Sequence, residues 1–591
     1  MKIKNFLLIA ILISGTVFAQ NGTPKKISDD LPEAYVNVAL DTKSEINALS
    51  QKFNIDKVSF DKANGNYQVR VWLPQRQFED FENLGIPYRL CEPERPAIQM
   101  ATTVEEMLQW NRYPTYGTYT ALMDTFQKRY PNICHIDTIL AATPNGHALL
   151  AAHITADVNT PNCRPQFFYT STMHGDEVTG YYCMLRLIDH LLTNYTTDIQ
   201  ATRIIDNFDL WVCPVENPDG TYRSNNNTIG NSPTSTRANA HGVDLNRSYP
   251  GPEMNISNLE PEIAAMIAFA GNHRFVMSAN YHGGSELANY PWDTWKSFQK
   301  RHADDAWWAY VSRRYADTVH SHSTNYYFTD ENDGIVLGGD WYVVDGSRQD
   351  YMNYQQHCRE ITMEISTSKT PNSSDVDKFW QYNRQAMLNY IEEAGRGFHG
   401  AVTDITTGKA IEATVFINGH DSLNSEAITS TDSINYYRPI KGGTYSVTFS
   451  AEGYCSETTE VTTTDGAAVR LDMALWPLPC DSTTTPVDTT GPVIDNPDST
   501  TTQDSTAITT FRIDNTVTIY PNPAKERIFI KGNFTSQQIH YQCFDIYGKL
   551  ISEGETQPEK AIELNSLPAG IYFLRIKTEK EREKTFKIIK Q

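Results

Sequence analysis

The chain is short of positive charge. Lys and Arg number 50 in 591 residues against 71 Asp and Glu, a net charge of −21. Binding nucleic-acid phosphates needs a basic face, so this balance argues against a nucleic-acid partner. It is compatible with attracting cationic substrates. Long hydrophobic runs are as scarce. Beyond the N-terminus no stretch is long and apolar enough to span a bilayer, so no transmembrane span is expected in the mature chain. CxxC spacing is missing too. The nine cysteines are scattered, which argues against a structural zinc cluster of cysteines, and their odd number leaves pairing open.

What the chain does hold is enough apolar material for sizeable cores: 40% hydrophobic and 11% aromatic residues. The N-terminus "MKIKNFLLIAILISGTVFAQ" has Lys2 and Lys4 before an apolar run, then Val17-Phe18-Ala19 as a cleavage site. Residues 1–19 therefore read as a signal peptide, and an exported mature chain is expected from Gln20.

Residues 20–100 form an N-terminal α+β module. Its strand and helix patterns run βαββαβ over 32–90, with Asn64-Gly65 at a hairpin turn. Such a module behind a signal peptide fits a pro-domain or a packed unit that stays attached. The largest block, 103–395, alternates short apolar strands such as "PQFFYTST" and "RFVMSANYH" with amphipathic helices. That pattern predicts an α/β domain around a buried mixed sheet. Residues 396–475 change to short alternating strands and predict a small β-sandwich. The Ser/Thr/Asp-rich run within 476–510 predicts a linker, and 511–591 reads as strands again, a second C-terminal β-sandwich.

Two His/Glu pairs share one spacing. His174 and Glu177 in "MHGDE" lie between a strong strand and a helix, where residues three apart can share a side. His357 and Glu360 in "HCREITMEIS" lie in a strand pattern, where residues three apart face opposite ways. Only the first pair is a candidate ligand set. His282, at the end of "RFVMSANYH", is a distant third member at the edge where open α/β sheets gather ligands. His, Glu and His make an open zinc site, and Glu364 at the end of another apolar strand is a buried acid in need of a task. A metal-activated water beside a carboxylate is an arrangement for hydrolysis.

The motifs "HGDE", "ENPDG", "RANAHGVDLNR", "YHGGSELANYPWD" and "EITMEIS", in this order, resemble the zinc carboxypeptidase family in its carboxypeptidase N/E-like branch. The 396–475 block resembles the transthyretin-like domain of that branch. The resemblance implies one Zn2+ held by His174, Glu177 and His282. It implies Glu364 as the base that takes a proton from the attacking water and passes it to the leaving amine, and Arg237 as the oxyanion partner. Asn246 and Arg247 would grip a substrate C-terminal carboxylate, and Tyr342 would close over it. Asp293 would face a C-terminal Lys or Arg side chain, with Gln349 at the base of that pocket. Two departures stand out: Arg348 brings a cation near the pocket, and Asp176 replaces the family's usual Asn beside the metal.

The tail motifs "VTIYPNPAKERIFIKG", "FDIYGKLI" and "LPAGIYFLRI" resemble the C-terminal sorting domain of the type IX secretion system. That implies passage by this machinery to a secreted or outer-surface-attached location. The reading is therefore a secreted metallocarboxypeptidase acting on peptide and protein C-termini, with preference for Lys or Arg. A zinc amidohydrolase of cell-wall peptides and a non-catalytic surface-binding protein are the alternatives. Cleavage between Cys91 and Glu105 is expected to mature the enzyme if the N-terminal module is a pro-domain.

Overall fold

The computed structural model describes residues 27–480, apart from 29, 30, 93, 94, 325 and 430–434, and, between short gaps, residues 518–590. The expected signal peptide and most of the linker lie outside the described residues. Two compact units divide the chain, Met1–Thr485 and Pro486–Gln591.

The N-terminal module begins with strand Glu33–Leu40, which pairs with Asn66–Pro74 on one side and Tyr88–Leu90 on the other. Helix Lys43–Ser50 starts at Thr42, whose side chain and Glu45 form a reciprocal capping box. Strand Asn54–Asp61 turns into Asn66–Pro74 through Gly65, which has φ +70°. That left-handed backbone suits glycine.

The large domain is an eight-stranded mixed sheet. Its four central strands, Arg359–Ile365, Phe275–His282, Gln166–Ser171 and Asp209–Cys213, are parallel. Antiparallel pairings of Leu149–Ile154 with Asp209–Cys213, and of Glu286–Tyr290 with Arg359–Ile365, extend it on either side. Side chains alternate between the faces. Met277, Ala279, Tyr281, Ile361 and Met363 enter the larger core, with helices Thr179–Asn194, Asp305–His322 and Val376–Glu393. Phe168, Trp211 and Phe275 enter a second core under helix Pro261–Gly271.

The face opposite Met277 and Met363 carries a polar stripe across two adjacent strands. The register pairs Ser278 with Glu360, Asn280 with Thr362 and His282 with Glu364. The stripe ends at the C-terminal edge of the parallel strands, so two candidate site residues arrive side by side.

Residues 397–475 form two four-stranded sheets around Phe398, Val415, Val447 and Phe449. Arg438 of this sandwich and Arg359 of the large domain both reach Asp304 Oδ2, at 2.9 and 3.0 Å. Arg438 also binds Asp421. Cys455 and Cys480 form a disulfide; Cys91, Cys134, Cys163, Cys183, Cys213, Cys358 and Cys543 are free. The second unit holds a three-stranded and a four-stranded sheet, with Ile528, Ile539, Leu574 and Ile588 buried. Among the described residues, no helix is long and apolar enough to cross a membrane.

Candidate metal centre and active site

His174 and Glu177 stand in the turn between strand Gln166–Ser171 and helix Thr179–Asn194, while His282 ends its own strand. Their ligand atoms converge. His174 Nδ1 and His282 Nδ1 are 3.0 Å apart, and Glu177 Oε2 lies 3.0 Å from the first and 2.9 Å from the second. All three side chains are buried. Two imidazole nitrogens aimed at one point repel unless a cation lies between them, so the donor set fits a zinc ion.

The second ring nitrogen of His174 supports the same use. Nε2 is 3.0 Å from Asp244 Oδ1, which fixes the proton there and leaves Nδ1 as the lone pair. Asp244 is held in turn by Arg237 Nε at 2.8 Å. Burial opposes its charge, but Arg237 and His174 outweigh it and keep Asp244 well below the usual carboxylate range. Asp244 was not among the expected site residues, although it stands in "GVDLNR", two positions before Asn246.

One cavity is lined by His174, Glu177, Arg237, Asn246, Arg247, His282, Asp293, Tyr342 and Glu364. Glu364 Oε2 is buried with no hydrogen-bond partner among the described residues. Burial first, then the charge of Glu177, raise its pKa well above that of a free glutamate. A poised, unsatisfied carboxyl beside a metal position is what a general acid–base group requires. Asn246 Oδ1 accepts from the Arg348 backbone, and Arg247 Nη1 binds the Asn246 carbonyl at 2.9 Å.

The pair His357 and Glu360 is not part of this cavity. His357 lies 3.7 Å from Glu426, and Glu360 is bound by Arg348 at 3.1 Å and Ser278 at 2.7 Å. Arg348 therefore points into the interior toward Glu360 and Glu216, away from the pocket it was expected to disturb. Gln349 sits behind the lining, its side-chain Oε1 accepting from Thr362 N at 2.8 Å. Asp176 faces the N-terminal module, where Tyr35 donates to it at 2.7 Å.

That module enters the site. Asp56 Oδ1 lies 3.1 Å from Arg237 Nη1 and 2.7 Å from Lys369 Nζ. The Ile55 carbonyl accepts from Arg247 Nη2 at 3.2 Å. Trp341, Tyr342, Val344 and Leu287 join the module's apolar core, and the cavity keeps only about 20 Å³ of free space. Lys369 also binds Glu177 Oε1 at 2.8 Å. Asp56 carried no signal in the sequence, because its partners in the site, Arg237 and Lys369, come from distant parts of the chain. Lys369, five positions after Glu364 in "EISTSK", was not among the expected site residues.

Residues 119–386 match the family model described as zinc carboxypeptidase. Carboxypeptidase SOL1 of Arabidopsis thaliana is 32% identical over 403 residues, covering 66% of this chain and 77% of that protein. The chain belongs to the zinc carboxypeptidase family. Carboxypeptidase D of Anas platyrhynchos is 30% identical over 373 residues, 60% of this chain; the match spans about a quarter of that relative's length (26%). A solved carboxypeptidase A from Helicoverpa armigera aligns with TM-score 0.45 and 17% identity, over 61% of this chain and 96% of that one. Residues 518–591 match the secretion system C-terminal sorting domain, so this family member carries a tail that marks it for secretion or the cell surface.

Proposed function

We propose that this zinc carboxypeptidase family member is a metallocarboxypeptidase that hydrolyses the C-terminal peptide bond of peptides and proteins, with preference for C-terminal Lys or Arg. The observation that carries this reading is the convergence of His174, Glu177 and His282 in one cavity with Glu364, Arg237 and Arg247. One Zn2+ is assigned to the three ligands; bound there, it supplies an activated water and polarises a carbonyl.

The chain's own groups do the rest. Glu364 takes a proton from the attacking water and returns it to the leaving amine. Arg237, held charged by Asp244 and Glu177 against the cost of burial, meets the negative charge that develops on the carbonyl oxygen. Arg247 and Asn246 take the substrate carboxylate, and Asp293 takes the cationic side chain. Tyr342 covers the bound residue. Peptide C-termini and the type IX secretion machinery are the proposed partners.

The N-terminal module, in this reading, holds the enzyme closed. Asp56 stands between Arg237 and Lys369, and Ile55 takes the Arg247 contact, so a peptide carboxylate cannot use them. The deciding experiment incubates the secreted protein with peptides ending in Lys, Arg, Phe, Leu or Glu, with and without a chelator. Chelator-sensitive release of a terminal Lys or Arg is expected. Absence of any release once the N-terminal module has been removed sinks the enzyme reading; faster release of Phe or Leu sinks the specificity alone.

A further inference from the structure

The proposed specificity pocket has a second acid behind the first. Asp293 and Asp350 are 3% and 0% exposed. The Asp350 carboxylate accepts the backbone N–H of Asp293 at 2.9 Å and of Thr294 at 2.8 Å, so it holds the turn that aims Asp293. Asn289 Nδ2 donates to Asp293 Oδ1 at 3.0 Å, and Ser347 adds a side-chain hydrogen bond. A Cβ on Gly338 would stand 2.0 Å from that oxygen, so the carboxylate occupies space only a glycine leaves open.

Among the described residues, neither carboxylate is in an ion pair. The surrounding charged groups are committed elsewhere. Arg247 binds the carbonyls of Asn246 and Ile55, so its charge lowers Asp293 only from a distance and does not overcome burial. Arg348, on the same helix as Asp350, binds Glu360 and lies beside Glu216. Asp340 accepts from Ser297 N. His302, packed against Trp292, is kept neutral by burial, which pushes it down to about 3. Two adjacent buried carboxylates without an ion-pair partner cannot both ionise cheaply. Burial, then the charge of Asp293, push Asp350 up to about 8, and burial raises Asp293 as well.

We infer that Asp293 and Asp350 work as one pair: the empty pocket keeps a proton on it, and entry of a Lys or Arg side chain expels that proton to solvent. The inference rests on the proposed assignment of this pocket to a basic C-terminal residue. The step is a plain proton transfer. The carboxyl O–H bond breaks, bulk water takes the proton, and the incoming ammonium or guanidinium supplies the balancing charge. Asp293 meets the substrate; Asp350 is a positioning residue that acts through it.

The test compares matched peptides ending in Lys and in Leu, turned over by the active secreted protein between about pH 6 and pH 9. Groups serving both substrates cancel in the ratio of the two kcat/KM values, and the Lys ammonium, with a pKa of about 10.4, stays charged throughout. The ratio is expected to climb toward pH 8 by up to about tenfold per pH unit, one proton's worth of linkage, then level off. In Asp350→Asn the slope disappears. A flat ratio in the unaltered protein overturns the pair, and a slope that survives in Asp350→Asn overturns its assignment to Asp350. Equal turnover of Lys and Leu peptides at every pH overturns the pocket reading instead. An infrared difference spectrum of unaltered protein against Asp350→Asn needs no turnover: a protonated-carboxyl band at about pH 6, lost by about pH 9, is expected. Its absence overturns the pair.

Discussion

Asp56 of the N-terminal module and Arg237 of the large domain form a buried ion pair, Oδ1 to Nη1 3.1 Å, inside the cavity that holds the candidate metal ligands. Removing one partner of such a pair costs about 3–5 kcal/mol. Asp56→Ala should therefore loosen the module and raise peptide release by the full chain, by about tenfold for each 1.4 kcal/mol of docking lost. Continuous assay of C-terminal Lys release reads this; an unchanged rate means that the module does not block the site.

Glu364→Gln keeps the shape and removes the base. Metal content should be unchanged by elemental analysis, while kcat falls by about 10²–10⁴. A variant with full metal and full turnover contradicts the role.

Asp244→Ala leaves His174 Nε2 without its partner. Metal affinity, measured by competition with a chromogenic chelator, should fall by about 10–100-fold, the usual cost of losing such a carboxylate. Loss of folding rather than of metal would show as a lowered Tm in chelator-treated protein.

Asp293→Asn should lower kcat/KM for Lys- and Arg-ended peptides by about 100-fold or more relative to Leu-ended ones, because the charged partner is gone. Steady-state kinetics on the peptide set decides it.

The joint between the catalytic domain and the following β-sandwich rests on Asp304 and Asp421 with Arg359 and Arg438. Both carboxylates are held below the ordinary aspartate value of about 3.8: burial pushes them up, but Arg438 and its neighbours outweigh it. Their contribution is fully present above that unfolded value and is lost as pH falls through the lower folded values. Arg438→Ala should lower Tm at neutral pH, by a loss of about 3–5 kcal/mol, and differ less from the parent below about pH 3. Thermal denaturation at both pH values measures it.

The candidate ligands were legible because their settings differ. "MHGDE" follows an apolar strand and opens a helix, whereas in "HCRE" only Arg359 and Glu360 belong to a strand, whose alternation sends Glu360 toward Ser278 and Arg348, and His357 lies before it, against the expectation of a strand position. The sequence motifs also placed Glu364 at the end of its strand, and the register sets it beside His282. The family resemblance put Gln349 at the base of the pocket and Arg348 near it. Which way each points depends on the turn of helix Arg348–Gln355 against the sheet, and that turn is fixed by packing.

By itself, the sequence determined the alternating strands and helices and the local setting of the candidate ligands, because periodicity and turn chemistry act over a few residues. Only the tertiary structure decided what meets the ligands. Asp56, Asp244, Lys369 and Asp350 acquire their parts through partners brought from distant strands and loops. Burial strengthens each such contact, and burial is a property of the assembled chain.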